Sequence, residues 1–187
     1  MKGFMKSLFE WVIIIAVAFA LSLVIRNFLI DTRIVPTGSM LPTIQLEDRL
    51  IVDRFFYKYG DIQRGDIIVF EAPDEIMKDE DLVKRVIGLP GETIQVTNSK
   101  VYINGQVLDE PYVESSANYE FGPYTIPEGT FFMMGDNRPI SYDSHRWGAL
   151  DGEKIIGKVW VRYWPFDRLG PLTKLPEDYL PGAVESP

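Results

Sequence analysis

A long apolar run near the start of the chain separates its first residues from everything that follows. From Leu8 to Ile30 nearly every residue is apolar, and between Trp11 and Ile25 there is no charge and only one polar residue, Ser22. About 20 such residues are needed for a helix to cross the hydrocarbon core of a bilayer. A helix that packs on a soluble core would carry a polar stripe on its outer side, which this run lacks. The run therefore predicts one N-terminal transmembrane helix.

Two kinds of targeting segment fit this run, a cleaved signal peptide and a retained signal anchor. The basic residues Lys2 and Lys6 precede it, and Ala16-Val17-Ala18 matches the small-x-small pattern of a cleavage site. The apolar residues continue well past that site through Leu21 to Ile25, which favours an anchor that is retained.

The charges on either side of the run predict its orientation. The two lysines place the N-terminus in the cytoplasm by the positive-inside rule, although Arg26 and Arg33 on the other flank weaken the charge difference. We therefore expect residues 1–30 to form a cytoplasmic N-terminus and a single-pass anchor in the cell membrane. Residues 31–187 are then expected to form a domain outside the cytoplasm.

Composition narrows the chemistry that this domain can carry. The formal net charge of −8 argues against a nucleic-acid partner, because a phosphate backbone requires clustered lysine and arginine. The chain contains no cysteine, which excludes disulfides, thiolate catalysis and cysteine-based metal sites. A single histidine, His145, cannot build a multi-histidine metal site. We therefore expect neither a metal nor another cofactor.

After the apolar run the sequence predicts strands and turns rather than long helices. Asn104-Gly105 is typical of a type I′ hairpin, because both residues tolerate a positive φ. The segment from Asp109 to Glu128 contains three prolines and is expected to cross the surface or cover a groove. Many short strands are typical of all-β domains, so we predict a mostly β fold, with a transmembrane helix followed by a barrel-like antiparallel β domain. The predicted strands include residues 50–52, 67–70, 82–87, 93–96, 101–103, 106–108, 130–134 and 154–164.

A serine between two prolines is the first candidate for chemistry. Ser39 lies in the segment Pro36-Thr37-Gly38-Ser39-Met40-Leu41-Pro42. Each proline fixes its own φ and pushes the residue before it towards extended geometry. Gly38 has no Cβ, so another backbone can approach closely beside the serine. The segment suits a nucleophile that attacks an extended peptide; the alternative is a plain connection after an apolar helix.

A serine hydroxyl is a weak nucleophile and needs a group that accepts its proton. His145 is one candidate, within a Ser/His/Asp arrangement, but its polar and charged neighbours are typical of a surface or ion-paired histidine. Lys84 is the better candidate, because Leu82 and Val86 share its face of a predicted strand. Burial between apolar groups lowers a lysine pKa and leaves a neutral amine that can act as general base. The alternative is that Lys84 and Arg85 form an exposed charged pair on an edge strand.

A polar segment from Gly135 to Ser144 holds more hydroxyls, carboxylates and amides than a single turn requires. Within it, Ser141 could hydrogen-bond the lysine amine and orient it. Asp143 could hold the surrounding loop through Arg146 or another nearby basic group. The alternative is a solvated loop composed of turn formers.

Together these segments resemble the type I signal peptidases, also called leader peptidases, in their short single-anchor bacterial form. Any one matching stretch is a weak signal, whereas all of them in the family's order after an anchor are specific. The resemblance implies a membrane-bound serine endopeptidase with a Ser/Lys dyad, which removes signal peptides from exported preproteins after a small-x-small motif. Its implied partners are secretory preproteins and the lipid bilayer. The stretches are residues 36–42 (P-T-G-S-M-L-P), 64–70 (R-G-D-I-I-V-F), 83–91 (V-K-R-V-I-G-L-P-G) and 135–148 (G-D-N-R-P-I-S-Y-D-S-H-R-W-G).

The resemblance also implies roles for individual residues. Ser39 would be the nucleophile and Lys84 the general base. The Thr37 hydroxyl would assist the Ser39 amide in the oxyanion hole. Ser141 and Asp143 would support the lysine and its loop.

One position departs from the family pattern. His145 stands where the family usually has arginine after Asp-Ser, so the ion pair expected for Asp143 falls either to His145 or to Arg146. Two rival functions also remain at this point. A self-cleaving repressor-type protein with the same dyad would carry an N-terminal DNA-binding domain instead of an apolar run. A membrane-tethered β domain that only binds a partner would leave a preprotein intact.

Overall fold

The computed structural model describes residues 2–24, 30–55, 57, 60, 62–73 and 80–172 of the chain. Within these ranges the chain forms a long N-terminal helix, a short second helix and strands that belong to two sheets. The last part of the predicted domain, residues 173–187, lies outside the described residues. The elements are α1 (Lys2–Val24), β1 (Ile30–Ile34), β2 (Arg49–Asp53), β3 (Ile67–Glu71), β4 (Asp81–Gly88), β5 (Thr93–Thr97), β6 (Lys100–Ile103), β7 (Gln106–Val107), β8 (Phe121–Thr125), β9 (Thr130–Met134), α2 (Ser144–Trp147), β10 (Leu150–Asp151), β11 (Ile155–Trp164) and β12 (Gly170–Pro171).

The predicted helix is confirmed from Leu8 to Val24, within α1, whereas residues 25–29 of the apolar run lie outside the described residues and Ile30 begins β1. The large apolar side chains of α1 that the structure describes, such as Trp11, Ile15 and Phe19, are exposed rather than packed against the β domain. No helix in the described part of the chain has both the length and the hydropathy needed to cross a membrane. The transmembrane part of the prediction is therefore not supported.

The larger sheet is antiparallel and contains β4, the strand that carries Lys84. Its strands follow the order β1-β2-β11-β3-β4-β9-β10, and β12 pairs with β11. β4 therefore lies in the interior of the sheet, between β3 and β9. Apolar residues cover β3 on both faces, since four consecutive residues from Ile67 to Phe70 are buried. β4 is likewise buried on both faces from Lys84 to Gly88, and this stretch includes the two charged residues Lys84 and Arg85.

The smaller sheet is an excursion of the chain between β4 and β9. Its strands follow the order β7-β6-β5-β8. The hairpin predicted at Asn104-Gly105 is confirmed, because β6 and β7 pair across it and the two residues have φ values of 51 and 80°. The strand β8 lies in the proline-containing segment that was expected to cross the surface or cover a groove. It forms because Phe121 and Tyr124 pack on the apolar cluster around Phe132, despite the Gly122-Pro123 pair between them.

The mostly antiparallel β fold is confirmed, whereas the barrel-like closure is wrong. In the described ranges both sheets are open, because no pairing joins β1 to β10 or β7 to β8. The chain leaves the larger sheet after Gly88, builds the smaller sheet and returns at Thr130, so its strands are divided between two sheets. A pattern of short strands does not indicate which strands become neighbours, and closure could not be inferred from it.

The segment that contains Ser39 is fixed to the larger sheet on both sides of the serine. Val35, Met40 and Ile44 are buried in one cluster with apolar residues of β2, β3 and β11. Burial of each such side chain contributes about 1.5–3 kcal/mol. Ser39 is therefore held on a well-anchored connection rather than on a loose loop.

Candidate active site

Ser39 and Lys84 lie next to each other, although 45 positions separate them in sequence. Lys84 Nζ donates a hydrogen bond to Ser39 Oγ at a distance of 2.7 Å. The serine comes from the anchored connection between β1 and β2, and the lysine comes from the middle of β4. The structure thus places a potential nucleophile within hydrogen-bond reach of a potential base, which is the geometry that serine activation requires.

Lys84 is buried, and its surroundings favour the neutral amine. Its residue is 3% exposed, and it lies opposite Ile68 in the neighbouring strand, with Leu82 opposite Phe70. Burial lowers the pKa of Lys84 from 10.5 to about 8, against the weaker opposite effects of the Asp143 and Asp136 carboxylates. A substantial fraction of the amine is therefore neutral at mildly alkaline pH and can accept a proton.

Arg85 is also buried and has its own acidic partner, so the alternative of an exposed charged pair is wrong. Its Nε and Nη2 atoms bond both carboxylate oxygens of Asp136 at 2.9 and 2.6 Å. Its guanidinium also lies 4.0 Å from the ring centre of Tyr112. Asp136 in turn accepts a hydrogen bond of 2.5 Å from Thr43 Oγ1, four residues after the serine. This buried ion pair therefore ties the Ser39 segment to β4 on the side away from Lys84.

The polar segment that begins at Gly135 lies directly against the backbone of Ser39. The Asn137 amide donates to the Ser39 carbonyl at 3.0 Å, and the Asn137 side chain donates to the Gly38 carbonyl at 3.3 Å. A Cβ on Gly135 would lie 2.5 Å from the Ser39 carbonyl oxygen and 2.3 Å from Ser141 Oγ. Glycine is required at this position, because any side chain would displace the serine or the segment beside it.

The structure gives Thr37 and Ser141 fewer contacts than their expected roles in the site would require. Thr37 is exposed two residues before Ser39, and no described residue makes a hydrogen bond with its hydroxyl. Ser141 is buried beside Gly135, yet its Oγ has no hydrogen-bond partner among the described residues. The predicted hydrogen bond between Ser141 and the lysine amine is therefore wrong for this structure, in which Lys84 Nζ bonds the Ser39 hydroxyl.

Asp143 is fully buried at the start of α2 and joins this helix to the site. Its Oδ2 accepts a hydrogen bond from the Gly135 amide at 3.0 Å, and its Oδ1 lies 2.5 Å from Nδ1 of His145. Arg146 is exposed, and its bond to Asp143 joins only backbone atoms. His145 is therefore the side chain that pairs with Asp143, and the structure does not place it against Ser39 as a triad would require.

Residues of the long segment after β7 complete the surroundings of the site, and sequence reasoning missed them. We call residues 109–120 the covering segment. It places Tyr119 on the His145 ring, at 3.9 Å between ring centres and 12° between planes, and Tyr112 on Arg85. Its Glu110 bonds both terminal nitrogens of the buried Arg138. The combination of aromatic and acidic residues in a proline-containing connection was the available signal, since such side chains often cover buried cations.

Comparisons with known proteins identify the relatives of this chain. A family model described as signal peptidase, peptidase S26, matches residues 8–164. Signal peptidase I of Leptolyngbya laminosa is 47% identical over 171 residues, which cover 88% of this chain and 84% of the relative. Signal peptidase IB of Staphylococcus aureus is 36% identical over 179 residues, which cover 86% of this chain and 92% of the relative. A crystal structure of a signal peptidase I from Enterococcus faecalis is 33% identical, with a TM-score of 0.47 over 53% of this chain and 97% of that one.

Proposed function

This chain belongs to the signal peptidase family, peptidase S26, and on that premise we propose that it removes signal peptides from exported preproteins with Ser39 as nucleophile and Lys84 as general base. The single observation that carries the assignment of the dyad is the hydrogen bond of 2.7 Å between Lys84 Nζ and Ser39 Oγ. Burial of the lysine supports it, because a permanently charged ammonium could not accept the serine proton.

The proposed reaction follows from this geometry. Ser39 Oγ attacks the scissile carbonyl while its proton moves to the neutral Lys84 amine. The resulting ammonium returns the proton to the leaving amine as the peptide bond breaks, and an ester forms on Ser39. Water then attacks the ester, with Lys84 again accepting and returning a proton. The Ser39 N–H and the Thr37 hydroxyl are proposed to stabilise the oxyanion, a role that typically contributes about 10²- to 10³-fold in kcat for each donor.

The proposed substrate is an extended peptide with small residues before the cleaved bond. Pro36 and Thr37 are exposed beside Ser39, which supports the approach of an extended peptide to this segment. Strand addition would supply affinity through main-chain hydrogen bonds, and shallow pockets would select small side chains at alternate positions. The small-x-small motif is therefore part of the proposal.

Cleavage of a preprotein by the full chain tests this proposal. We expect the wild-type protein to release the signal peptide at one bond, located by mass spectrometry of both products, and Ser39→Ala to release none. Ser115→Ala, which removes an exposed serine from the covering segment, is the matched control and should cleave as wild type does. A domain that only binds preproteins would leave the substrate intact in all three samples.

Membrane attachment with a cytoplasmic N-terminus is part of the same proposal. The exposed apolar side chains of α1 support it, as does a second exposed group on the C-terminal half of β11 and the residues that follow it. That group consists of Trp160, Trp164, Phe166 and Leu169. Exposed apolar area of this kind commonly marks a protein or membrane contact.

Flotation with lipid vesicles is expected to recover the full chain in the lipid fraction, because burial of these apolar side chains in lipid is favourable. Trp164→Ser combined with Phe166→Ser should weaken binding of a chain that lacks residues 1–24, whereas Val107→Ser, which removes an exposed apolar residue elsewhere, should not. Protease digestion from either side of sealed vesicles tests the topology. Recovery of the full chain in the soluble fraction would contradict membrane attachment.

Chelators are expected to leave cleavage unchanged. The described residues include no group of three or more His, Asp or Glu side chains placed to hold a metal ion. The proposed dyad also supplies both the nucleophile and the base without one. The measurement is the rate of preprotein cleavage before and after dialysis against EDTA. Loss of activity that zinc or magnesium restores would replace the Ser/Lys assignment with a metal-dependent mechanism.

A further inference from the structure

The imidazole of His145 lies between a buried carboxylate and an aromatic ring. Nδ1 is 2.5 Å from Asp143 Oδ1, and the ring stacks on Tyr119 with 3.9 Å between centres. The side chain is only 7% exposed. A histidine held on both sides in this way has a fixed ring orientation.

Asp143 connects this ring to the reacting groups. Its second carboxylate oxygen accepts a hydrogen bond from the Gly135 amide. Gly135 is packed so closely that an added Cβ would clash with both the Ser39 carbonyl and Ser141. The same carboxylate also acts on the Lys84 ammonium through its charge, more strongly than Asp136 does. The buried Asp143 carboxylate therefore interacts with both His145 and Lys84.

We propose that His145 is a positioning residue of this site. It orients Asp143 against Gly135, and the charge at position 145 sets how strongly the Asp143 carboxylate stabilises the Lys84 ammonium. The inference rests on the proposed function, because it concerns the lysine as general base. Tyr119 takes part in this positioning, because its ring stacks on the His145 imidazole and holds it in line with the Asp143 carboxylate. The covering segment thereby contributes to catalysis without touching the substrate.

The direction of the effect follows from the charges around the ring. A cation at position 145 neutralises Asp143 and leaves less negative charge to stabilise the Lys84 ammonium. A neutral side chain leaves the Asp143 charge uncompensated, which favours the ammonium. Among the described residues, the other charged groups that act on Tyr119 are Arg146, Arg138 and Glu110. Arg138 and Glu110 are paired with each other, and Arg146 is exposed, so the Asp143 charge is the one that responds to residue 145.

The pH dependence of kcat/KM for preprotein cleavage tests the proposal with two variants. The acid limb of His145→Arg should lie about one pH unit below that of His145→Gln, with the wild type between them or equal to one of them. Both variants should keep a substantial part of the wild-type maximum, because neither removes the nucleophile or the base. Arg146→Gln is the matched control, and its acid limb should coincide with that of the wild type.

Tyr119 gives a second, independent measurement. Tyr119→Phe keeps the stacked ring and removes only a buried hydroxyl without a described partner, so its kcat and pH profile should match the wild type. Tyr119→Leu removes the ring and should lower kcat about tenfold with little change in KM, because a looser Asp143 misplaces the reacting groups slightly.

Coincident acid limbs for His145→Arg and His145→Gln would overturn the inference while the dyad stands, and so would equal kcat values for Tyr119→Leu and Tyr119→Phe. Full activity of Ser39→Ala would instead refute the proposed function, and the inference with it.

Discussion

Lys84→Arg is expected to lose about 10²- to 10⁴-fold in kcat, the usual contribution of a general base, although it keeps the positive charge. A guanidinium stays protonated in proteins and cannot accept the serine proton. Lys84→Met should be equally inactive. The measurement is the single-turnover rate of preprotein cleavage, with Lys158→Arg as the control, since Lys158 pairs with Asp66 elsewhere on the larger sheet. A Lys84→Arg protein near the wild-type rate would remove Lys84 from the role of base.

Lys84→Met should not fail through unfolding, and the sign of the expected stability change follows from proton binding. The pKa of Lys84 is lowered from 10.5 to about 8, so the folded state binds this proton more weakly than the unfolded state. The buried ammonium therefore opposes folding fully below about pH 8, and this cost declines as the pH rises towards 10.5. A pKa difference of about 2.5 corresponds to a free energy of about 3 kcal/mol, so Lys84→Met should melt at or above the wild-type temperature at neutral pH.

Gly135→Ala is expected to lower kcat about 100-fold, which is the cost of a misplacement of about 1 Å in the reacting groups. The added methyl would lie 2.5 Å from the Ser39 carbonyl oxygen and 2.3 Å from Ser141 Oγ, so that the two segments must separate. The double variant Gly135→Ala/Ser141→Ala removes the clash of the new methyl with Ser141 Oγ but not its clash with the Ser39 carbonyl oxygen. Its activity should therefore recover in part at most.

Gly170→Ala is the matched control for this substitution, because a Cβ there meets nothing within 4 Å. It should leave both activity and melting temperature unchanged. A Gly135→Ala protein with the activity of Gly170→Ala would show that the Ser39 segment tolerates displacement, and the tight packing described above would then not be needed for catalysis.

The parts of this molecule that depend on local pattern could be predicted from the sequence. Alternation in β4 placed Lys84 on one face with Leu82 and Val86, and the structure buries Lys84 and Val86. The Asn104-Gly105 turn needed only the positive φ that both residues tolerate. The apolar run was predicted as a helix from its length and from its lack of charged residues and of a polar stripe.

The parts that depend on contacts distant in sequence could not be predicted in this way. Nothing local to Arg85 indicated that Asp136 would pair with it, or that Tyr112 would cover it. The division of strands between two open sheets depends on which strands become neighbours, which periodicity does not encode. Whether His145 or Arg146 would pair with Asp143 was settled only by the short helix α2, which directs the first towards the carboxylate and the second outwards.

The pH dependence of kcat/KM for preprotein cleavage by the wild-type chain tests the central claim most directly, because this quantity reports the titration of essential groups in the free enzyme. If a buried, largely apolar environment prepares Lys84 to deprotonate Ser39, activity should rise with pH through a midpoint of about 8, the value to which burial lowers the lysine pKa. A profile that rose only near the value of a free lysine, about 10.4, or that did not rise with pH through this range at all, would contradict it.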